Sequence, residues 1–404
     1  MDLAWLLDPI DVVAFKCDYW ESKPLVSCGN GGARFADLLS LAAVDEILGH
    51  SSLRSDDVRV ARNGEAIPFR DLSKVGANDS EGGLEALYQE YRRGSSIVLL
   101  FLHERWPPLK MLCQSLSREL SSRVQANMYL TPPEAQALKT HYDIHDVLVL
   151  QIHGKKRWRL FDRAVQLPLP HQPYTGDADI SLGSPMMEVT LSAGDLMYVP
   201  RGYPHDAESA DGASLHLTIG VLPITWASVV LRAVQSAIDG NPVLRQSLPP
   251  GFASDQDLHA ASVTRLAELM TDVLQGMDPA LAIDEARAAA LRGRQPSLGG
   301  HLLDLEAVPY LGLDTRLRCR KDTGVSVTST DESICVVFHS KCVEFPTYVE
   351  EDIRFIVKAR EFAPCELPGN LDAKSRLVLV SRLLIEGLLT TAQYSRVDLK
   401  AISN

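Results

Sequence analysis

No two of the seven cysteines (Cys17, Cys28, Cys113, Cys319, Cys335, Cys342 and Cys365) form a C-x-x-C pair. Odd in number and scattered, they suit neither a disulfide framework nor a zinc ribbon, and reduced thiols in a cytoplasm are expected. Long apolar runs are missing too. Stretches such as Ile97 to Leu102 fall far short of the roughly 20 residues a membrane helix requires, so no span is expected. The opening MDLAWLLDPIDVVAFKCDYW carries acids where a signal peptide needs a basic region and an unbroken apolar core, which argues against export. Basic charge is in deficit: 40 Lys and Arg face 52 Asp and Glu, for a formal net charge of -12. A general polyanion binder needs a cationic surface, so nucleic acid is not an expected partner. There is no internal repeat and no low-complexity tract, which sets aside solenoids and long flexible linkers.

What is present is an ordinary globular composition, 46% hydrophobic and 23% charged over 404 residues, enough for two or three packed units. Residues 1 to about 125 alternate helical patterns (DLLSLAAVDEIL) with short strands (DVRVAR, SSIVLLFL) and read as an α/β buttress. From about 126 to 222 short β-rich runs are punctuated by Gly and Pro: VQANMYL, DVLVLQIHG, KRWRLFD, MMEVTL, DLMYVP and SLHLTIGVL, the texture of a small barrel or sandwich. After Pro223 the apolar period becomes 3.6 in SVVLRAVQSAI, DLHAASVTRLAELMTDVL and ALAIDEARAAALR, which predicts a helical domain over 223–301. Residues 302–404 mix strands (GVSVTST, ICVVFHS) with helices (YVEEDIRFIVKAR, AKSRLVLVSRLLIEGLL) in an order that resembles a winged-helix module. Basic and acidic residues balance over 310–404, which gives a DNA-reading role little support.

The chemistry concentrates in Thr-His141-Tyr-Asp143 and the later PRGYP-His205. Residues i and i+2 of an extended strand project to the same face, so His141 and Asp143 can grip one ion. A rolled barrel brings His205 across the mouth, on a turn fixed by Pro200, Gly202 and Pro204. Two imidazoles and one carboxylate form the facial set of non-haem iron(II), with open positions for a bidentate co-substrate and dioxygen. A keto-acid co-substrate also needs a cation for its far carboxylate. In KKRWR alternate residues face opposite ways, so Lys156 points inward with Trp158 while Lys155, Arg157 and Arg159 point out. Asn127 and Tyr129, again two apart, can reach the same cavity or serve as ordinary strand polars. A zinc hydrolase would want an activated water and a separate general base, and none stands at motif spacing. His145, Asp146 and His153 lie close by, and a cupin with a third histidine could draw on them.

These strings, VQANMYLTPP, HYDIHDVLVLQIHGKKRWRLFD, GDLMYVPRGYPHDAES and SLHLTIGVL, together with FKCDYWESKPLV near the start, resemble the Jumonji-C ribosomal oxygenase family. The likeness implies an α+β chain with a double-stranded β-helix (jelly-roll, cupin-like JmjC) core over 1–222, a helical dimerisation domain over 223–301 and a winged-helix-like domain over 302–404. It further implies an Fe(II)- and 2-oxoglutarate-dependent hydroxylase of a protein or peptide side chain. His141, Asp143 and His205 would be iron ligands, Lys156 would anchor 2-oxoglutarate, and Asn127 and Tyr129 would lie in its pocket. A homodimer acting on a ribosomal-protein-like substrate follows, and the acidic balance suits a basic one. Two alternatives share the residues: a tailoring hydroxylase of a small molecule or biosynthetic peptide, and a non-catalytic metal-binding interaction protein.

Overall fold

The computed structural model describes residues 1–29, 34–50, 56–68, 81–174, 182–292, 298–320, 323–338 and 341–391. The chain divides into two compact units, Met1–Pro223 and Ile224–Asn404.

The first unit is built on eleven strands: β1 (Leu25–Ser27), β2 (Val58–Arg62), β3 (Glu65–Pro68), β4 (Ser96–Leu99), β5 (Arg123–Thr131), β6 (Asp146–His153), β7 (Lys155–Leu160), β8 (Met187–Ser192), β9 (Leu196–Val199), β10 (His205–Ser209) and β11 (Ser214–Leu222). Eight of them form a large sheet in the order β1-β9-β6-β11-β5-β4-β2-β3, and three form a small one in the order β10-β7-β8. All pairings are antiparallel. The small sheet covers one face of the large one. Trp158, Leu160 and Leu191 pack there against Val147, Val149, Met197 and Val199. The other face carries the larger core, with Leu109, Leu112 and Leu116 of the helix Pro107–Leu120 and Leu3, Leu6 and Leu7 of the helix Leu3–Leu7. With both faces covered, the central strand β6 is buried at every position but its last, which explains why DVLVLQIH reads as a continuous apolar run and not an alternating one. In β7 burial does alternate, because one face fills the gap between sheets and the other meets solvent.

The second unit opens with the helices Trp226–Gly240, Gln256–Gly276 and Pro279–Arg292. Thr225 and Asp255 cap the first two through hydrogen bonds to backbone N–H groups. Gln256–Gly276 buries none of its residues, and Val263, Leu266, Met270 and Leu274 lie exposed along one face. Beyond it, β12 (Leu317–Cys319) pairs with β16 (Leu389–Thr391), and β13 (Ser326–Ser329), β14 (Ser333–Phe338) and β15 (Lys341–Pro346) form a meander. These pack on the helices Glu350–Lys358 and Ala373–Ile385 around Ile334, Val336, Phe338, Ile353, Ile356 and Leu383. Two features depart from the sequence reading. KCVEFP is a strand, and Cys335 is joined to Cys342 in a disulfide where separate thiols were expected. The cause is the antiparallel register of β14 and β15, which sets the two cysteines on adjacent strands; their separation of seven residues carries no signal of it.

Candidate metal centre

His205 opens β10, and the segment before β6 that carries His141 lies beside it, with an isolated antiparallel bridge between the two histidines and another between Gln136 and Glu208. Each backbone N–H donates to the other's carbonyl, at 3.1 and 2.8 Å. One donor atom each from His141, Asp143 and His205 fall within 4.8 Å of one another, and His205 Nε2 is 3.7 Å from Asp143 Oδ2. Both rings are oriented through Nδ1, which sits 2.8 Å from the Lys139 carbonyl in His141 and 3.0 Å from the Tyr203 carbonyl in His205. Nε2 of each ring is thereby left for an ion.

The PRGYP turn is fixed from behind. Gly202 has φ of +88°, and a Cβ there would come within 2.0 Å of the Val165 carbonyl oxygen, so only glycine fits. Its N–H donates to the Asp143 carbonyl at 3.1 Å. The buried Arg201 guanidinium donates to Asp146 at 2.7 Å and Glu21 at 2.6 Å. Asp146, considered as a ligand in the sequence, is therefore committed to an ion pair, and His153 lies at the exposed end of β6, outside the cluster.

Charge states suit a cation. Burial pushes the Asp143 carboxyl up, but the imidazoles of His145, His205 and His141 outweigh it and hold the group below its ordinary range. Burial, then the neighbouring His141, pushes His205 below its ordinary range.

The three residues line a cavity of about 270 Å³, together with Lys156, Asn127 and Tyr129. Lys156 is 2% exposed; its Nζ donates to Thr131 Oγ1 at 2.9 Å, and no carboxylate pairs with it among the described residues. Burial pushes its pKa down to about 7. Thr131 Oγ1 also accepts from Ser96 at 3.2 Å. Asn127 Oδ1 accepts from the N–H of Phe101, which sits at φ +51° beside the cavity-lining Leu100. Tyr129 stacks on His216 at 4.8 Å, and Trp158 meets His216 edge-on. His216 and Thr131 were not singled out in the sequence. The register of β11 on β5 places His216 opposite Tyr129 and Ser214 opposite Thr131, a pairing that local alternation does not reveal.

Two sheets closed over a His-x-Asp…His cluster define a cupin-like domain with a candidate metal site. Residues 102–229 match the JmjC domain profile, so the chain carries a JmjC domain, set in an α+β fold. Among its relatives, the bifunctional lysine-specific demethylase and histidyl-hydroxylase NO66 of Drosophila pseudoobscura pseudoobscura is 32% identical over 61% of this chain and 26% of its own length. Ribosomal oxygenase 1 of Rattus norvegicus is 32% identical over 61% and 42%, and that of Danio rerio 26% identical over 96% and 79%. The chain thus spans well under half the length of the first relatives it matches. Solved structures of YcfD, a ribosomal oxygenase from Escherichia coli, share the fold. One covers 95% of this chain and 98% of its own at 15% identity and TM-score 0.52; another, in complex with cobalt and 2-oxoglutarate, gives 0.53. The resemblance to the Jumonji-C ribosomal oxygenases drawn from the motifs stands in both sequence and fold.

Proposed function

We propose that this chain is an Fe(II)- and 2-oxoglutarate-dependent oxygenase that hydroxylates a side chain of a protein or peptide. One observation carries the reading: a cavity that combines two imidazoles and a carboxylate with a sealed lysine that has no counter-anion among the described residues. A buried ammonium without a partner is costly, and a bound carboxylate would offset that cost. The donor set fits iron(II), because three protein ligands leave three positions for a chelating keto acid and dioxygen. His141, Asp143 and His205 would hold the metal. Lys156, with the Thr131 hydroxyl, would hold the far carboxylate of 2-oxoglutarate. Iron(II), when bound, supplies the redox chemistry that couples decarboxylation of 2-oxoglutarate to succinate with hydroxylation of a C–H bond.

The chain's own share is positional. Lys156 and Thr131 are buried, and Lys156 lines the same cavity as the histidines, so a dicarboxylate held there would share the cavity with the metal ligands. Trp158, Tyr129 and His216 wall the cavity with aromatic surface that keeps bulk water from the reacting groups. Asn127 holds the Leu100–Phe101 turn at the wall. The names of the relatives, histidyl-hydroxylase and ribosomal oxygenase, favour a ribosomal-protein-like substrate over a small molecule.

The domain assignment follows the same reading: an oxygenase domain over 1–222, a dimerisation domain over 223–301 and a winged-helix-like domain over 302–404. The exposed row Val263, Leu266, Met270 and Leu274 supports a homodimer, since a single copy leaves this apolar face in water. No described helix is long and apolar enough to cross a membrane.

The test is turnover. Purified protein with Fe(II), ascorbate and 2-oxoglutarate should release succinate, and His141→Ala should abolish it. Mass spectrometry of ribosomal proteins with and without the active protein should find an added oxygen. Absence of succinate with iron supplied overturns the reading.

A further inference from the structure

The segment that presents His141 forms no continuous ladder with β10. Two isolated bridges join it there, at Gln136–Glu208 and at His141–His205, whereas β10 itself is laced to β7 over five residue pairs. The residue next to the histidine bridge on each side adds a side-chain link that the backbone lacks. His141 lies opposite His205, so Thr140 lies opposite Asp206, and Asp206 is in turn the register partner of Arg159 on β7. The side chains follow the backbone. Thr140 Oγ1 donates to Asp206 Oδ2 at 2.6 Å, and Arg159 Nε donates to Asp206 Oδ1 at 2.7 Å. The carboxylate is 5% exposed, and each of its oxygens is engaged by a different neighbouring segment. This row runs directly beside the histidine row, and Asp206 reaches the same cavity wall as His141 and His205.

From this juxtaposition we propose that Asp206 is a positioning residue: it clamps the Thr140–His141 segment to the His205 strand, with Arg159 holding the carboxylate in place, and so fixes the separation of the two imidazoles. Nothing else among the described hydrogen bonds ties residue 140 across to β10 by a side chain. A hydroxyl bound to an ionised acceptor is among the stronger hydrogen bonds, and its loss loosens the segment where the histidine bridge holds it. Groups that orient ligands in this way typically change metal affinity by about 10- to 100-fold when removed.

The inference rests on the metal-centre reading, and the experiment separates the two. The probe is Co(II), titrated into the metal-free full-length protein and followed by its visible ligand-field absorption. Wild type should bind with a saturable band. Thr140→Val, which keeps shape and removes only the hydroxyl, should weaken Co(II) binding about tenfold and broaden or shift the band. Thr140→Ser, which restores a hydroxyl, should return both to wild type. Asp206→Ala should weaken binding at least as much as Thr140→Val, and circular dichroism of the metal-free proteins reports whether each variant is folded. Co(II) bound by Thr140→Val with wild-type affinity and an unaltered band overturns the clamp while leaving the metal centre intact. Failure of the wild type to bind Co(II) overturns the metal centre, and the clamp with it.

Discussion

Asp304 and Lys156 are both charged side chains sealed from water, and the two units of the chain treat them in opposite ways. Asp304, in the second unit, is 1% exposed and fully engaged: it accepts from the Arg320 guanidinium, from the Thr391 N–H and hydroxyl and from the Thr390 hydroxyl. Lys156, in the first unit, is equally buried and has one neutral hydroxyl. A buried charge whose bonds are all made within the chain belongs to the architecture. One left short of a counter-charge marks a place prepared for something else.

Four substitutions or conditions break or sharpen this contrast. The largest effect should come from Asp304→Ala, which leaves Arg320 buried without its carboxylate and should cost about 3–5 kcal/mol of stability in urea denaturation. Metal binding by the first unit should persist in any fraction that stays folded. Next, Lys156→Met should raise the Kd for 2-oxoglutarate by about 100-fold, the loss of a charge-assisted pair, while stability is unchanged or improved. A fall in stability matching that of Asp304→Ala would make Lys156 architectural and erase the contrast.

Proton linkage gives the third. Burial holds the Lys156 ammonium to a pKa of about 7 in the ligand-free protein, well below its ordinary 10.5. The folded chain therefore binds fewer protons at this site than the unfolded chain between these values. Its destabilising contribution is fully present below pH 7 and is relieved as pH rises toward 10.5, relative to Lys156→Met. Binding of a carboxylate requires the ammonium, so above pH 7 the Kd for 2-oxoglutarate should rise by about tenfold per pH unit, measured by calorimetry in buffers of different ionisation enthalpy. The smallest effect should belong to Asn127→Ala. Its carbonyl is already satisfied by Phe101, so the change should cost about 1 kcal/mol of stability and move the 2-oxoglutarate Kd by less than about threefold.

What the sequence revealed and what it hid divides along the same physical line. Lys156 was legible because strand periodicity is local, and β7 alternates in burial. His141 and Asp143 stood out as residue types two apart, although the expected strand is absent there and both lie in the segment ahead of β6. Pro200, Gly202 and Pro204 announced the turn before His205, since such residues restrict the backbone by themselves. His216, Thr131 and Asp206 were silent because their roles come from register between strands far apart in the chain, as with Cys335 and Cys342. The helical periods of the second unit were plain, yet periodicity could not say that the apolar face of Gln256–Gly276 would lie uncovered in one copy.

The carbonyls of Lys139 and Tyr203, each two residues ahead of the imidazole it holds, carry one more implication. Since these tethers lie within the chain, the tautomer and tilt of both rings are settled before any ion arrives. Loading is then capture by a finished socket, and a chelator should draw the ion out and leave the barrel standing, ready to be refilled.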